Sequence, residues 1–176
     1  MSKTQPQPRA PRGALKGSSL VSAALARRLE TSGLTVAFAE SCTGGLLGAA
    51  LTRRAGASDY FAGSAVCYRE TAKLRVLGVP ARVLAAHGAV SAACAQAMAQ
   101  GALKIFGTDI ALSVTGFAGP DGERVGEVWV GWAQRGATAQ AQAFHFKGDR
   151  AQVREKAARA VLKQLAFLLP KAAGEA

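Results

Sequence analysis

The chain has 176 residues, 49% of them hydrophobic and 19% charged, a balance that excludes a disordered chain and suits one domain with a proper core. Its formal net charge is +11, which favours anionic partners without choosing among nucleic acid, membrane surface and phosphorylated metabolites. No apolar run approaches the ~18 residues of a membrane helix. Cys42, Cys67 and Cys94 lack CxxC spacing, which argues against a disulfide framework or a zinc site and places the chain in a reducing cytoplasm.

In chain order, residues 1–17 carry Lys3, Arg9, Arg12 and Lys16 with no acid, interrupted by Pro6, Pro8 and Pro11. They read as a disordered basic tail, ahead of a folded domain over 18–170 and a short tail over 171–176. Val21, Ala24, Leu25 and Leu29 recur at helical spacing, predicting a helix over 19–31 that stops near Gly33. Arg27 and Arg28 cut the apolar run, so the segment reads as a domain helix and not as a targeting signal. Residues 34–39 form a short apolar run, a buried strand, and residues 46–54 are helical. A second strand covers 62–68, and two short helices flank Gly78-Val79-Pro80. Ala95, Met98, Ala102 and Ile105 share one face of a long helix over 91–106. Ile110, Leu112 and Val114 alternate with small or polar residues over 109–115, a strand by period. Residues 125–133 and 137–146 follow as two strands joined around Gly136. Val153, Ala157, Val161, Leu165 and Leu168 stripe a last helix over 150–169. Strands interleaved with helices and closed by a hairpin predict an α/β layered domain with a mixed sheet.

Four places carry possible chemistry. Ala39-Glu40-Ser41-Cys42-Thr43-Gly44-Gly45 puts a serine at a strand end, where open α/β folds bind ligands. The helix that follows offers unpaired N–H groups to a phosphate or an oxyanion, although Ser and Thr at such a place also serve as ordinary caps. Lys73, five residues after Tyr68, is a candidate base if burial lowers its pKa; a solvated helix lysine is the ordinary alternative. Thr115-Gly116-Phe117-Ala118-Gly119-Pro120 is a glycine-rich loop expected at the same sheet edge. Asp149 is placed to cap the last helix, and Arg150 to fork onto a phosphate. His87 and His145 stand in a helix-end turn and a solvated strand face. No His, Cys and carboxylate cluster has metal-ligand spacing.

These blocks, with Leu77-Gly78-Val79 and Gly88-Ala89-Val90-Ser91 between them, resemble in order the CinA C-terminal-domain family, the nicotinamide-nucleotide amidohydrolases. The resemblance covers about residues 19–168. It implies a three-layer α/β/α sandwich, a homo-oligomer, and cofactor- and metal-free hydrolysis of nicotinamide mononucleotide to nicotinate mononucleotide and ammonia. Carried over, it implies Ser41 as nucleophile, Lys73 as base and Tyr68 in support. Thr43, Gly44, Gly45, Thr115 and Gly116 would bind substrate, and Arg150 its phosphate. Two departures stand out. Arg69-Glu70-Thr71 replaces the family's usual Ser-Asn-Glu, and the loop after Pro120 is shorter and lacks a Lys-Pro, changes expected to alter nucleotide binding or specificity. The alternative is a nucleic-acid-binding or competence-related protein of the same fold without amidase activity, engaging nucleic acid through its basic tail; the scarcity of aromatics weakens it.

Overall fold

The computed structural model describes residues 20–172; the predicted basic tail, residues 18 and 19 and the last four residues lie outside them. Helices and strands run α1 (Ala23–Ser32), β1 (Val36–Glu40), α2 (Leu46–Thr52), β2 (Phe61–Val66), α3 (Glu70–Leu77), α4 (Ala81–His87), α5 (Ala92–Phe106), β3 (Ile110–Gly116), β4 (Glu127–Gln134), β5 (Gln140–His145) and α6 (Arg150–Leu168). Side-chain caps start α1, α5 and α6, where Ser22, Ser91 and Asp149 accept from backbone N–H groups. Gly33, Gly78 and Gly107 end α1, α3 and α5 in the left-handed region, the usual glycine stop.

The five strands form one sheet in the order β2-β1-β3-β4-β5. β1 lies parallel to both β2 and β3, and the β3–β4 and β4–β5 pairs are antiparallel. The three parallel strands therefore finish at one edge. The chain leaves β1 for β2 on one side and later returns as β3 on the other, opening a crevice at the carboxyl end of β1.

Helices cover both faces, completing the three-layer α/β/α sandwich. On one face α1, α2 and α6 pack over Val36, Phe38, Ile110, Leu112, Val114, Val128 and Val130. On the other, α3, α4 and α5 pack over Ala39 and Ala111. β3 is central and buried on both faces, so its alternation sorts large residues from small ones, with no solvent face. The small side lets α5 approach closely: Ser113 Oγ donates to the Ala95 carbonyl at 2.6 Å, and a Cβ added to Gly131 would stand 2.4 Å from that oxygen. Two predicted face positions differ. Ile105 is exposed because the buried stripe of α5 runs through Cys94, Ala95, Met98, Ala99 and Ala102. Ala24 also faces out, with Ala26 taking its place in the core. Among the described residues, no helix is long and apolar enough to cross a membrane.

Candidate active site

The turn after β1 is held from three directions. Ser41 N–H donates to the Val114 carbonyl at 3.0 Å, prolonging the β1–β3 pairing by one residue. Gly44 and Gly45 both take positive φ, 62° and 96°, conformations that a side chain would strain. From beneath, the fully buried Glu40 carboxylate gathers the turn. Its Oε2 accepts from Thr43 Oγ1, Gly45 N and Leu47 N at 2.8, 2.9 and 3.2 Å. Its Oε1 accepts from Gly48 N and Ser64 Oγ at 3.0 and 2.7 Å. Across the sheet face, Arg154 of α6 donates to the carbonyls of Cys42 and Thr43 at 3.1 and 2.8 Å.

The Gly45, Leu47 and Gly48 N–H groups at the start of α2 are taken by the chain's own Glu40. Thr43 turns its hydroxyl to Glu40, and Thr43, Gly44 and Gly45 lie outside the lining of the cavity beside Ser41. Thr43 and Gly45 are tied into the turn by Glu40. Glu40 and Arg154 were not singled out from the sequence; the one available signal was a carboxylate directly preceding a Ser-x-Thr-Gly-Gly turn.

Lys73 is 1% exposed and reaches back from the first turn of α3. Its Nζ lies 2.8 Å from Ser41 Oγ, 2.9 Å from the Cys67 carbonyl and 3.2 Å from the Tyr68 carbonyl. Two of these three neighbours can only accept. Nζ donates to all three acceptors; a neutral amine that kept its two N–H bonds on the carbonyls would turn its lone pair to the serine hydroxyl. Burial disfavours the ammonium and lowers the lysine's pKa below 10.5, opposed by Cys94, Cys67, Cys42 and Glu70. The same burial pushes the Cys42 thiol up to about 11, so that neighbour stays a thiol and adds no charge at neutral pH.

A cavity of about 350 Å³ opens over this pair. Each parallel strand contributes to its wall: Ser41 and Cys42 after β1, Tyr68, Arg69, Glu70 and Lys73 after β2, and residues 115–117 at the end of β3, with Ala89 and Val90 closing it. Thr115 is buried and donates its hydroxyl proton to the Ala89 carbonyl at 2.7 Å, bracing the wall. Tyr68 supports Lys73 through its main chain. Its ring is 59% exposed, and its hydroxyl accepts from Arg150 Nη2 at 2.9 Å. Arg150 also donates to the Gly119 carbonyl, tying the glycine-rich loop to the β2 end. His145 is exposed on β5 and His87 closes α4; neither lines the cavity. Among the described residues, no group of three or more His, Cys, Asp and Glu side chains is placed to hold a metal ion.

Fold and site together define a three-layer α/β/α domain with a serine and a buried lysine paired at the carboxyl edge of a mixed sheet. The chain belongs to the family described as the CinA C-terminal domain, which it matches over residues 19–169. A CinA-like protein from Citrifermentans bemidjiense is 51% identical over 134 residues, 74% of this chain and 32% of that protein. The chain thus spans about a third of the length of the curated relatives it matches. Among solved structures, the competence damage-inducible protein A (ComA) from Klebsiella pneumoniae is 41% identical, with a TM-score of 0.80 over 85% of this chain and 94% of that one. A CinA-superfamily protein from Enterobacter cloacae is 31% identical, with a TM-score of 0.81 over 97% and 99% of the two chains.

Proposed function

We propose that this domain hydrolyses the carboxamide of nicotinamide mononucleotide to nicotinate mononucleotide and ammonia, with Ser41 as nucleophile and Lys73 as its base. The observation that carries this reading is the contact set of Lys73 Nζ. Two carbonyl acceptors and one serine hydroxyl leave a neutral amine one orientation, with its lone pair on the proton to be removed.

In the first step Ser41 Oγ bonds to the amide carbon while its proton passes to Lys73. The resulting ammonium returns that proton to the departing nitrogen, the C–N bond breaks, and ammonia leaves an ester on Ser41. Water then attacks the ester carbon, giving a proton to Lys73. The Ser41–carbon bond breaks, the proton returns to Oγ, and the acid is released. Lys73 handles one proton in each half and finishes unchanged, the Ser–Lys variant of triad logic. Thr115, Gly116 and Phe117 line the same cavity as Ser41.

The test is to incubate purified protein with nicotinamide mononucleotide and measure ammonia and nicotinate mononucleotide, with Ser41→Ala alongside. Wild type is expected to form both products in equal amounts, and Ser41→Ala neither. Activity of Ser41→Ala within about tenfold of wild type, roughly 1.4 kcal/mol in barrier, would sink the nucleophile assignment. Assembly as a homo-oligomer belongs to the same proposal and is read by light scattering.

A further inference from the structure

The basic groups around the cavity differ in what they already hold. Arg154 is spent on the Cys42 and Thr43 carbonyls. Arg150 is spent on Tyr68 and the Gly119 carbonyl. Arg124 sits over the Phe117 ring at 5.1 Å and pairs with Glu127. Lys73 holds Ser41 and two carbonyls. Arg69 lines the cavity and is exposed, and among the described residues its side chain has no hydrogen bond or ion pair. It is the guanidinium in the wall with its whole fork available to an anion.

Glu70 follows in the same wall, likewise exposed and without a side-chain hydrogen bond or ion pair among the described residues. It begins α3, one turn before Lys73 on the same face. The cavity wall therefore carries a carboxylate close to the reacting pair and a guanidinium next to it. Both are held by a helix start whose Arg69 carbonyl accepts from Ala72 N and Lys73 N at 3.0 and 3.1 Å. Adjacent charges of opposite sign, each left unpaired, match a ligand that itself bears two opposite charges.

We propose that Arg69 and Glu70 set the charge pattern of the substrate, an amide on a cationic ring that also carries a phosphomonoester. Glu70 faces the cationic ring beside the scissile amide, and Arg69, not Arg150, takes the phosphate. This rests on the amidohydrolase reading for the place of the amide, and on the cavity wall for its charges.

Binding separates the two charges without turnover. In a Ser41→Ala background, calorimetry compares three probes: nicotinamide mononucleotide with both charges, its dephosphorylated nucleoside with the cationic ring alone, and reduced nicotinamide mononucleotide with the phosphate alone. Arg69→Ser should weaken both phosphorylated probes about tenfold or more and spare the nucleoside. Serine suits this helix-cap position, so folding is not at issue. Glu70→Gln should weaken the two cationic probes and spare the reduced nucleotide. Equal effects on all probes, no effect, or no binding of nicotinamide mononucleotide at all would overturn the proposal. Wild-type turnover without the crossed pattern strikes the charge assignment and leaves the hydrolase reading standing. The crossed pattern without wild-type turnover does the reverse.

Discussion

Replacing Glu40 tests whether one buried carboxylate organises the turn that carries Ser41. In Glu40→Ala five donors lose their acceptor: three backbone N–H groups of the α2 start and the hydroxyls of Thr43 and Ser64. The hydroxyls can rotate to other partners. The three amides cannot; that of Leu47 is buried and those of Gly45 and Gly48 are half-buried, and a buried, unmatched donor costs about 1–3 kcal/mol. After partial relaxation and water entry, the expected loss is about 4–5 kcal/mol, a large share of the ~5–15 kcal/mol that holds a domain together. Glu40→Gln keeps the shape and one carbonyl oxygen. With that oxygen on the side of Thr43, Gly45 and Leu47, the new amide group faces Ser64, whose hydroxyl can turn to accept, and the Gly48 N–H, which cannot. One opposed donor and the lost charge predict about 2–3 kcal/mol. Urea unfolding with a shared m-value measures both variants, and at ~2–4 °C per kcal/mol the melting shift of Glu40→Gln is about 4–12 °C. A loss under about 1 kcal/mol for Glu40→Ala would refute the claim that this carboxylate satisfies the turn.

The site, the packing and the sequence lead to further expected outcomes. Lys73→Arg should damage turnover nearly as much as Lys73→Ala, because arginine keeps the charge and cannot deprotonate; near-wild-type single-turnover rates would leave Lys73 as electrostatic support only. Since burial lowers the Lys73 pKa from 10.5, activity should rise with pH through that lowered value. The buried ammonium costs stability below it, so wild-type stability relative to Lys73→Met should climb as pH rises from the lowered pKa towards 10.5; a flat or falling difference in urea titrations would contradict this. Gly131→Ala should cost about 1–3 kcal/mol by pushing α5 off the sheet, read as a lowered urea midpoint; an unchanged midpoint would mean that α5 is not held close. Removing residues 1–17, which carry four basic residues and no acid, should spare hydrolysis while weakening any binding to DNA or anionic surfaces and its salt dependence. The opposite result in filter binding and amidase assays would reverse the two roles.

The hydrophobic periods of the chain determined its elements. Residues 91–106 and 150–169 repeat at helical spacing and became α5 and α6, with ends displaced by at most one residue. Ile110, Leu112 and Val114 repeat at strand spacing and became one large-residue face of β3. The hairpin around Gly136 also made the sheet mixed. Local sequence carries this because side-chain period and turn chemistry act between neighbours only a few residues apart. The motif block around Ser41 marked the candidate site, through its likeness to a family and not through spacing alone.

Tertiary structure decided what distant residues do to one another. Lys73 looks like any helix lysine until β2 and α3 bring it to Ser41 across 32 positions of sequence. Arg154, on a long amphipathic helix, becomes a clamp on a turn 111 residues away. Glu40 reads as one acidic residue in a strand, yet its carboxylate accepts three N–H groups at the start of α2. The availability of Arg69 and the engagement of Arg150 depend on which carbonyls and hydroxyls come within about 3 Å, and no pattern along the chain encodes that. Such contacts form only after the sheet order β2-β1-β3 sets three strand ends side by side.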